Sequence, residues 1–407
     1  MRFALAAAAA LVAMVTPLYA QETGPEVPAI EPIAIGFDDE GLSGPGGELL
    51  KAELPETQFV VIGEDHGYAD APSLVTAFAA EGKEHGLTNY AVEVGPYSSA
   101  WVAEILAKGG PDALGEELQG RPLAIPFLSS REEAEAALGF LRFGQLWGSD
   151  QEFVGSPLLH FDLLGGGKDP ELVARFAARE REAFAKGDLG AIFMTSASDS
   201  DWEALEANFS GDTRALERLA ELRRSAAVYR SNVIGRGLDN NLDRVEMIRE
   251  YFLDSYRSAE VREGAPPRVI MKFGATHASR ATTPMNTFDL GALVEGMAAA
   301  NGLEALHIAY LPLAGEQLAI TPSPDGFYAA KPTDAGALRS ALETAGVDLS
   351  VIVPDGGHYL IPIEPVRRVL RNRGLADLDG MTRFLILGFD YIVTTMDGRP
   401  ATPLAER

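Results

Sequence analysis

The sequence predicts an α/β fold with a largely parallel central sheet flanked by helices and a helical insertion or cap. Three observations predict it. Short apolar runs such as "QFVVIG" stop abruptly at glycine, as strands buried on both faces do. Segments of helical periodicity separate these runs, and strand–helix alternation belongs to parallel sheets. A long, highly charged helical stretch, about 170–262, then interrupts the alternation.

In chain order, residues 21–45 are rich in Pro, Gly and acid and read as an extended leader. "QFVVIG" (58–63) is the first buried strand. Residues 71–86 form a helix with Gly86 as its C′ stop. "NYAVEVG" (89–95) is a second strand. Residues 96–110 are a helix with Pro96 in its first turn, stopping at Gly109. A helix over 132–144 leads to a third strand, "QLWGSD" (145–150). "SPLLHFDLLGGG" (156–167) is a short helix, with Ser-Pro at its start and glycines at its end. Helices follow over 170–187 and 201–260. "PRVIMKFGATH" (267–277) returns to strand, and a helix lies near 288–300. "ALHIAYLP" (305–312), "DLSVIVP" (348–354) and "FDYIVTTMD" (389–397) read as three further strands, separated by helices near 335–346 and 363–373.

The chain has 407 residues, 46% of them hydrophobic, which suffices for a large core in one or two domains. A net charge of −25 excludes a nucleic-acid binder, which needs a basic face, and an anionic membrane would repel the chain. There is no cysteine, hence no disulfide, cysteine nucleophile, Cys-ligated zinc or lipoprotein anchor. At the N-terminus, Arg2 precedes an apolar run from Phe3 to Val15, broken by Pro17 and ending in Leu18-Tyr19-Ala20. That pattern is a signal peptide cleaved after Ala20, which implies a periplasmic or secreted protein with no membrane span after cleavage. The expected organisation is a signal peptide (1–20), a leader (21–45) and one α/β hydrolase-like domain (46–407) with its helical insertion near 170–262.

Ligands of open α/β sheets bind beyond the carboxyl ends of the strands. Glu64, Asp65 and His66 follow the first strand, Glu93 ends the second, and Asp150 and Glu152 follow the third. "GATHASR" places His277 and Arg280 after "VIMKF". Two of the six histidines, His66 and His277, thus occupy strand-end G-x-x-H positions. A histidine there can take a proton from water near neutral pH. A carboxylate such as Glu64 or Glu93 can fix its tautomer, and a second histidine or an arginine can bind a developing oxyanion. The same four side chains, His66, His277, Glu64 and Glu93, could instead ligate a divalent metal. Glu93 on an apolar strand needs a partner if buried. Asp65 reads as a turn or helix cap. Trp147 and Asp150 divide between pocket lining and packing. His160, Asp162 and His307 read as structural, His85 as surface, and His358 as a loop residue.

The stretch from Leu49 to Val102, with Gly63-Glu64-Asp65-His66-Gly67 at its centre, resembles the opening of the erythromycin esterase-like proteins. Their broader group includes haem-binding ChaN-like lipoproteins and TIKI/TraB-type proteases. Here G-E-x-H-G stands where those esterases carry G-E-x-x-H-G. "QLWGSDQEF", "KFGATHASR" and "FDYIVTTMDGRPATP" extend the resemblance, and "DRVEM" (243–247) stands where the group carries R-x-x-x-M.

The resemblance implies an exported hydrolase acting on an ester or related acyl bond of a small molecule. His66 would be the general base, Glu64 and Glu93 its paired glutamates, and His277 the later histidine. Tyr68, Tyr97, Trp147, Asp150 and Arg280 would contact substrate. This reading requires no cofactor. Two alternatives stand beside it: a metal-dependent hydrolase or peptidase built on the two G-x-x-H motifs, and a non-catalytic periplasmic protein binding haem through Tyr68 or Tyr97, or another small ligand.

Overall fold

The computed structural model describes residues 29–323, 326–371 and 378–405. The expected signal peptide, its cleavage position and the first part of the expected leader lie outside them. Among the described residues there are eleven strands: β1 (Ile33–Asp38), β2 (Gly41–Ser43), β3 (Thr57–Glu64), β4 (Leu87–Val92), β5 (Gln145–Gly148), β6 (Arg268–Gly274), β7 (Glu304–Tyr310), β8 (Glu316–Ser323), β9 (Gly326–Pro332), β10 (His358–Pro362) and β11 (Tyr391–Thr395). Nine of them form one sheet in the order β2-β1-β10-β11-β7-β3-β6-β4-β5. From β11 to β5 every neighbouring pair is parallel, while β10, β1 and β2 add antiparallel at the far edge. The sheet is therefore largely parallel, as the alternation predicted.

β3 is buried along its whole length, and its side chains alternate between two helical layers. Val60 and Ile62 join one core with Leu74, Phe78, Val102 and Phe140. Phe59 and Val61 join the other with Ile248, Phe252, Val294 and Phe384. Each such side chain contributes about 1.5–3 kcal/mol by leaving water. A third core lies inside the helical region, where Phe193, Trp202, Leu219 and Leu222 pack together. Helices there span Pro170–Ala185, Asp199–Asn208, Thr213–Val233 and Gly237–Glu263.

Several elements differ from the sequence reading. Part of the 21–45 segment is strand: the alternating "IAIGFD" of β1 pairs antiparallel with β10. Its Pro, Gly and acid content masked that alternation. "DLSVIVP" is no strand. Asp348 caps a single 3₁₀ turn, Leu349–Val351, by accepting from Ser350 N–H. The strand in this region is instead β10, paired between β1 and β11, which starts at His358, so His358 is a strand residue. The helix beginning at Pro96 continues to Leu118 through a kink at Gly110, whose φ is 69°. The hairpin β8–β9, a separate two-stranded unit, had no periodic signal strong enough to read.

Candidate active site at the carboxyl ends of the parallel strands

Four adjacent strands, β3, β6, β4 and β5, deliver charged groups to one crevice, and strand parity decides which layer each faces. Glu64 shares the parity of Val60 and Ile62, and Lys272 on β6 that of Ile270, so both face the layer holding the helix Arg131–Leu141. That helix brings Glu133. Glu93 follows Val92 on the opposite parity and meets Arg244 of the helix Gly237–Glu263.

On the first side, the Lys272 ammonium donates to Glu64 Oε1 and lies 2.6 Å from Glu133 Oε1. All three are buried. One cation therefore serves two carboxyl groups. Burial would raise Glu64, but Lys272 and His66 outweigh it and hold it below the usual carboxylate range. Burial wins at Glu133, which stands at about 7. Glu64 also fixes His66: the Nδ1–H of the imidazole donates to Glu64 Oε1 at 2.9 Å. The ring stacks on Phe127, with centroids 4.0 Å apart and planes 21° apart. Phe127 itself has φ 54°, a left-handed conformation rare for a bulky residue.

On the second side, Glu93 Oε2 accepts from Gly274 N–H at 2.6 Å and Oε1 accepts from Arg244 at 2.6 Å. Arg244 also grips Asp150 with two bonds, at 3.0 and 2.6 Å. His277, on the short turn after β6, bonds Asp289 Oδ2 through Nδ1 at 2.8 Å. The Nε2 atoms of the two histidines then converge on one carboxylate: His66 Nε2 lies 3.7 Å and His277 Nε2 3.6 Å from Glu93. Burial would raise Glu93, yet His66, His277 and Arg244 together hold it down to about 2. For His66, burial lowers the pKa, but Glu93 and Glu64 outweigh it and leave it above the ordinary histidine value. His277 is also raised, because Glu93 and Asp289 outweigh burial and Arg244.

Two glycines make this geometry possible. A Cβ on Gly274 would stand 2.8 Å from His66 Nε2, and Gly67, at φ 92°, carries the chain out under Leu318. Around the cluster opens a cavity of about 380 Å³ lined by Glu64, His66, Glu93, Arg244, Gly274 and His277. A second cavity, of about 340 Å³, also shares His66 in its lining.

The remaining residues singled out in the sequence scatter. Asp150 belongs to the cluster through Arg244. Tyr68 shares a hydrogen bond with Thr333 at 2.7 Å and lines the second cavity, and burial raises its phenol to about 12. Tyr97 lies under Arg218, 4.9 Å from its ring centre. Trp147 is core, edge-on to Phe252. Arg280 turns away to Asp390 and Glu295. His160 is buried between Glu152 and Arg218, at 3.0 Å from each. His307 bonds Ala278 O. Among the described residues, no group of three or more His, Asp or Glu has the geometry of a metal site.

Sequence reasoning passed over Lys272, Glu133, Asp289 and Gly274 N–H, and gave Arg244 no role. The lysine inside "VIMKFG" was the available signal, since a charge in the middle of a buried strand demands partners.

No protein-family model matches the chain, and no curated protein does. Solved structures do. A mutant of erythromycin esterase EreC in its open conformation superposes with a TM-score of 0.51 at 12% identity, covering 86% of this chain and 93% of that one. A Bacillus cereus protein gives 0.49 at 12% identity, over 88% and 92%. A succinoglycan biosynthesis protein gives 0.49 at 14%, over 91% and 95%.

Proposed function

We propose that this chain, whose fold is erythromycin esterase-like, is an exported hydrolase that uses His66 to activate water against an ester or related acyl bond. The observation that carries the reading is the convergence of two imidazoles, each anchored at Nδ1 by a buried carboxylate, with both Nε2 atoms aimed at Glu93. With Nδ1–H committed to Glu64, the lone pair of His66 is at Nε2, facing the cavity. There it takes a proton from water as the water oxygen bonds to the carbonyl carbon. The carbonyl oxygen becomes an oxyanion, for which Arg244 and the His277 imidazolium supply positive charge. Collapse breaks the bond to the leaving oxygen, which takes its proton from an imidazolium. Lys272 keeps Glu64 ionised throughout, so Glu64 holds the tautomer rather than taking the proton.

Lys272 lies on Glu64 and Arg244 on Glu93, so a divalent ion placed between the histidines would stand beside an ammonium and a guanidinium, which favours chemistry without a metal. Export is supported by the N-terminal pattern; among the described residues no helix is long and apolar enough to cross a membrane.

The test is turnover of uncharged aryl and alkyl esters by the purified protein. His66→Ala should lower kcat at least 100-fold with the thermal transition unchanged (general base catalysis contributes ~10²–10⁴), and treatment with a chelator should leave the rate as it was. Full activity in His66→Ala would overturn the assignment of the base. Loss of activity on chelation, restored by a divalent ion, would replace the reading with metal-assisted hydrolysis.

A further inference from the structure

His66 stands between two hollows, and the reaction above uses only the polar one. The other, of about 340 Å³, is walled by Pro126, Phe127, Phe153, Leu318, Ile320 and Tyr328. These come from three separate places: the connection after the helix Pro96–Leu118, the chain after β5, and the hairpin β8–β9. The stacked ring of Phe127 belongs both to this wall and to the seat of His66. A hollow so lined gains more from carbon than from water. Taking roughly 30 Å³ for each non-hydrogen atom, as for a water in the liquid, it holds about ten.

Its polar lining says what the occupant is not. Asp65 and Glu133 are both among the lining residues, and burial raises both carboxyls. Glu133 is 5% exposed, and its Oε2 has no hydrogen-bond partner. An anion entering here would meet two carboxyl groups on a chain of net charge −25. Among the described residues no lysine or arginine lines this hollow, and its one basic side chain is His66, whose Nδ1 is tied to Glu64.

The geometry points to this hollow as the seat of the apolar portion of an uncharged ester, about ten non-hydrogen atoms long, with its carbonyl directed past Phe127 to His66. The word "ester" rests on the hydrolase reading; the seat itself does not.

Two measurements separate the seat from the chemistry. The first compares kcat/KM for phenyl esters of straight-chain acids with that for acetates of straight-chain alcohols. In one series it should climb about 4-fold per methylene (~0.8 kcal/mol buried each) and level off near ten atoms. Which series climbs tells whether the acyl or the alcohol side sits in the hollow. In Ala319→Trp, where a lining residue of the hairpin is enlarged, the ratio of the longest to the shortest ester should fall at least 10-fold. Ile320→Lys, at a half-exposed position, should do the same if the tryptophan variant misfolds. The second measurement is binding of the neutral fluorophore N-phenyl-1-naphthylamine, which needs no turnover. It should bind wild type and His66→Ala alike, be displaced by uncharged esters, and be lost in Ala319→Trp or Ile320→Lys. Binding without ester hydrolysis would sink the hydrolase reading and leave the seat standing. A flat chain-length profile in both series, or fluorophore binding indifferent to both substitutions, overturns the seat.

Discussion

Replacing Lys272 with methionine removes a buried cation and leaves two buried carboxyl groups behind. The lysine is 2% exposed, bonded to Glu64 and 2.6 Å from Glu133, and the carboxyls are 3% and 5% exposed. Deleting one partner of a buried ion pair costs about 3–5 kcal/mol. That is a large share of the ~5–15 kcal/mol that holds a domain folded. The cost should depend on pH in a definite sense. Without the cation both carboxyls are raised, Glu133 beyond the value of about 7 it has with Lys272 present. A carboxyl whose folded pKa is raised contributes stability below its unfolded pKa and loses it as pH rises through the folded one. Each additional proton retained only by the folded state costs about 1.4 kcal/mol per pH unit. The variant should therefore lose roughly 3 kcal/mol at pH 6 and more at pH 8, measured by urea unfolding followed by tryptophan fluorescence. Adding Glu133→Leu should restore part of the loss at pH 8 and little of it at pH 5. A loss below 1 kcal/mol, equal at both pH values, would refute the claim that this lysine neutralises the buried pair.

Four further outcomes follow from the same geometry. The rate should rise with pH along a limb whose midpoint lies above the ordinary histidine value of 6.5, because the raised His66 must lose its proton to act as base. Glu93→Gln removes the largest of the charges raising His66, so the pH–rate profile of that variant should show the limb displaced to lower pH; an unmoved limb would detach Glu93 from His66. Gly274→Ala puts a Cβ 2.8 Å from His66 Nε2, and steady-state kinetics should show kcat falling by roughly 10-fold from the displaced imidazole, with the melting temperature within a few degrees of wild type. Arg244→Lys keeps the charge but not the fork that spans Glu93 and Asp150; urea unfolding should show a loss of about 1.5–3 kcal/mol for the charged hydrogen bonds given up, and a variant as stable as wild type would mean the fork is idle.

The strand ends were legible because glycine stops are local. Gly63 and Gly274 follow apolar runs, and parallel strands place everything after such stops on one edge, so Glu64, His66, Glu93 and His277 meet without any long-range information being needed. Lys272, Glu133 and Asp289 were not legible for the converse reason. Their roles depend on which helix packs on which face: Glu133 sits among ordinary helical charges until its helix packs over β4 and β5 and brings it to Lys272, and Asp289, which caps its own helix, gives no local sign that His277 bonds it. Arg244 was hidden by its frame, since one residue of displacement on a helix changes the facing by ~100°. On the antiparallel side of the sheet, β10 and β1 escaped notice because they are short and half polar, whereas "DLSVIVP" looked apolar enough for a strand but is capped into a turn by Asp348.

The placement of Phe127 limits how the imidazole of His66 can move. One ring face is covered by the phenyl group and one nitrogen is tied to Glu64. A half-turn that exchanged the two nitrogens would have to break that tie while sliding across the stacked ring. In the proposed reaction His66 is thus a one-port device: a proton arriving at Nε2 has to depart from Nε2. Whatever donates a proton and whatever finally receives it must visit the same side of the ring in turn, so the order in which groups occupy the cavity, rather than any rotation of the histidine, sets the direction of proton flow.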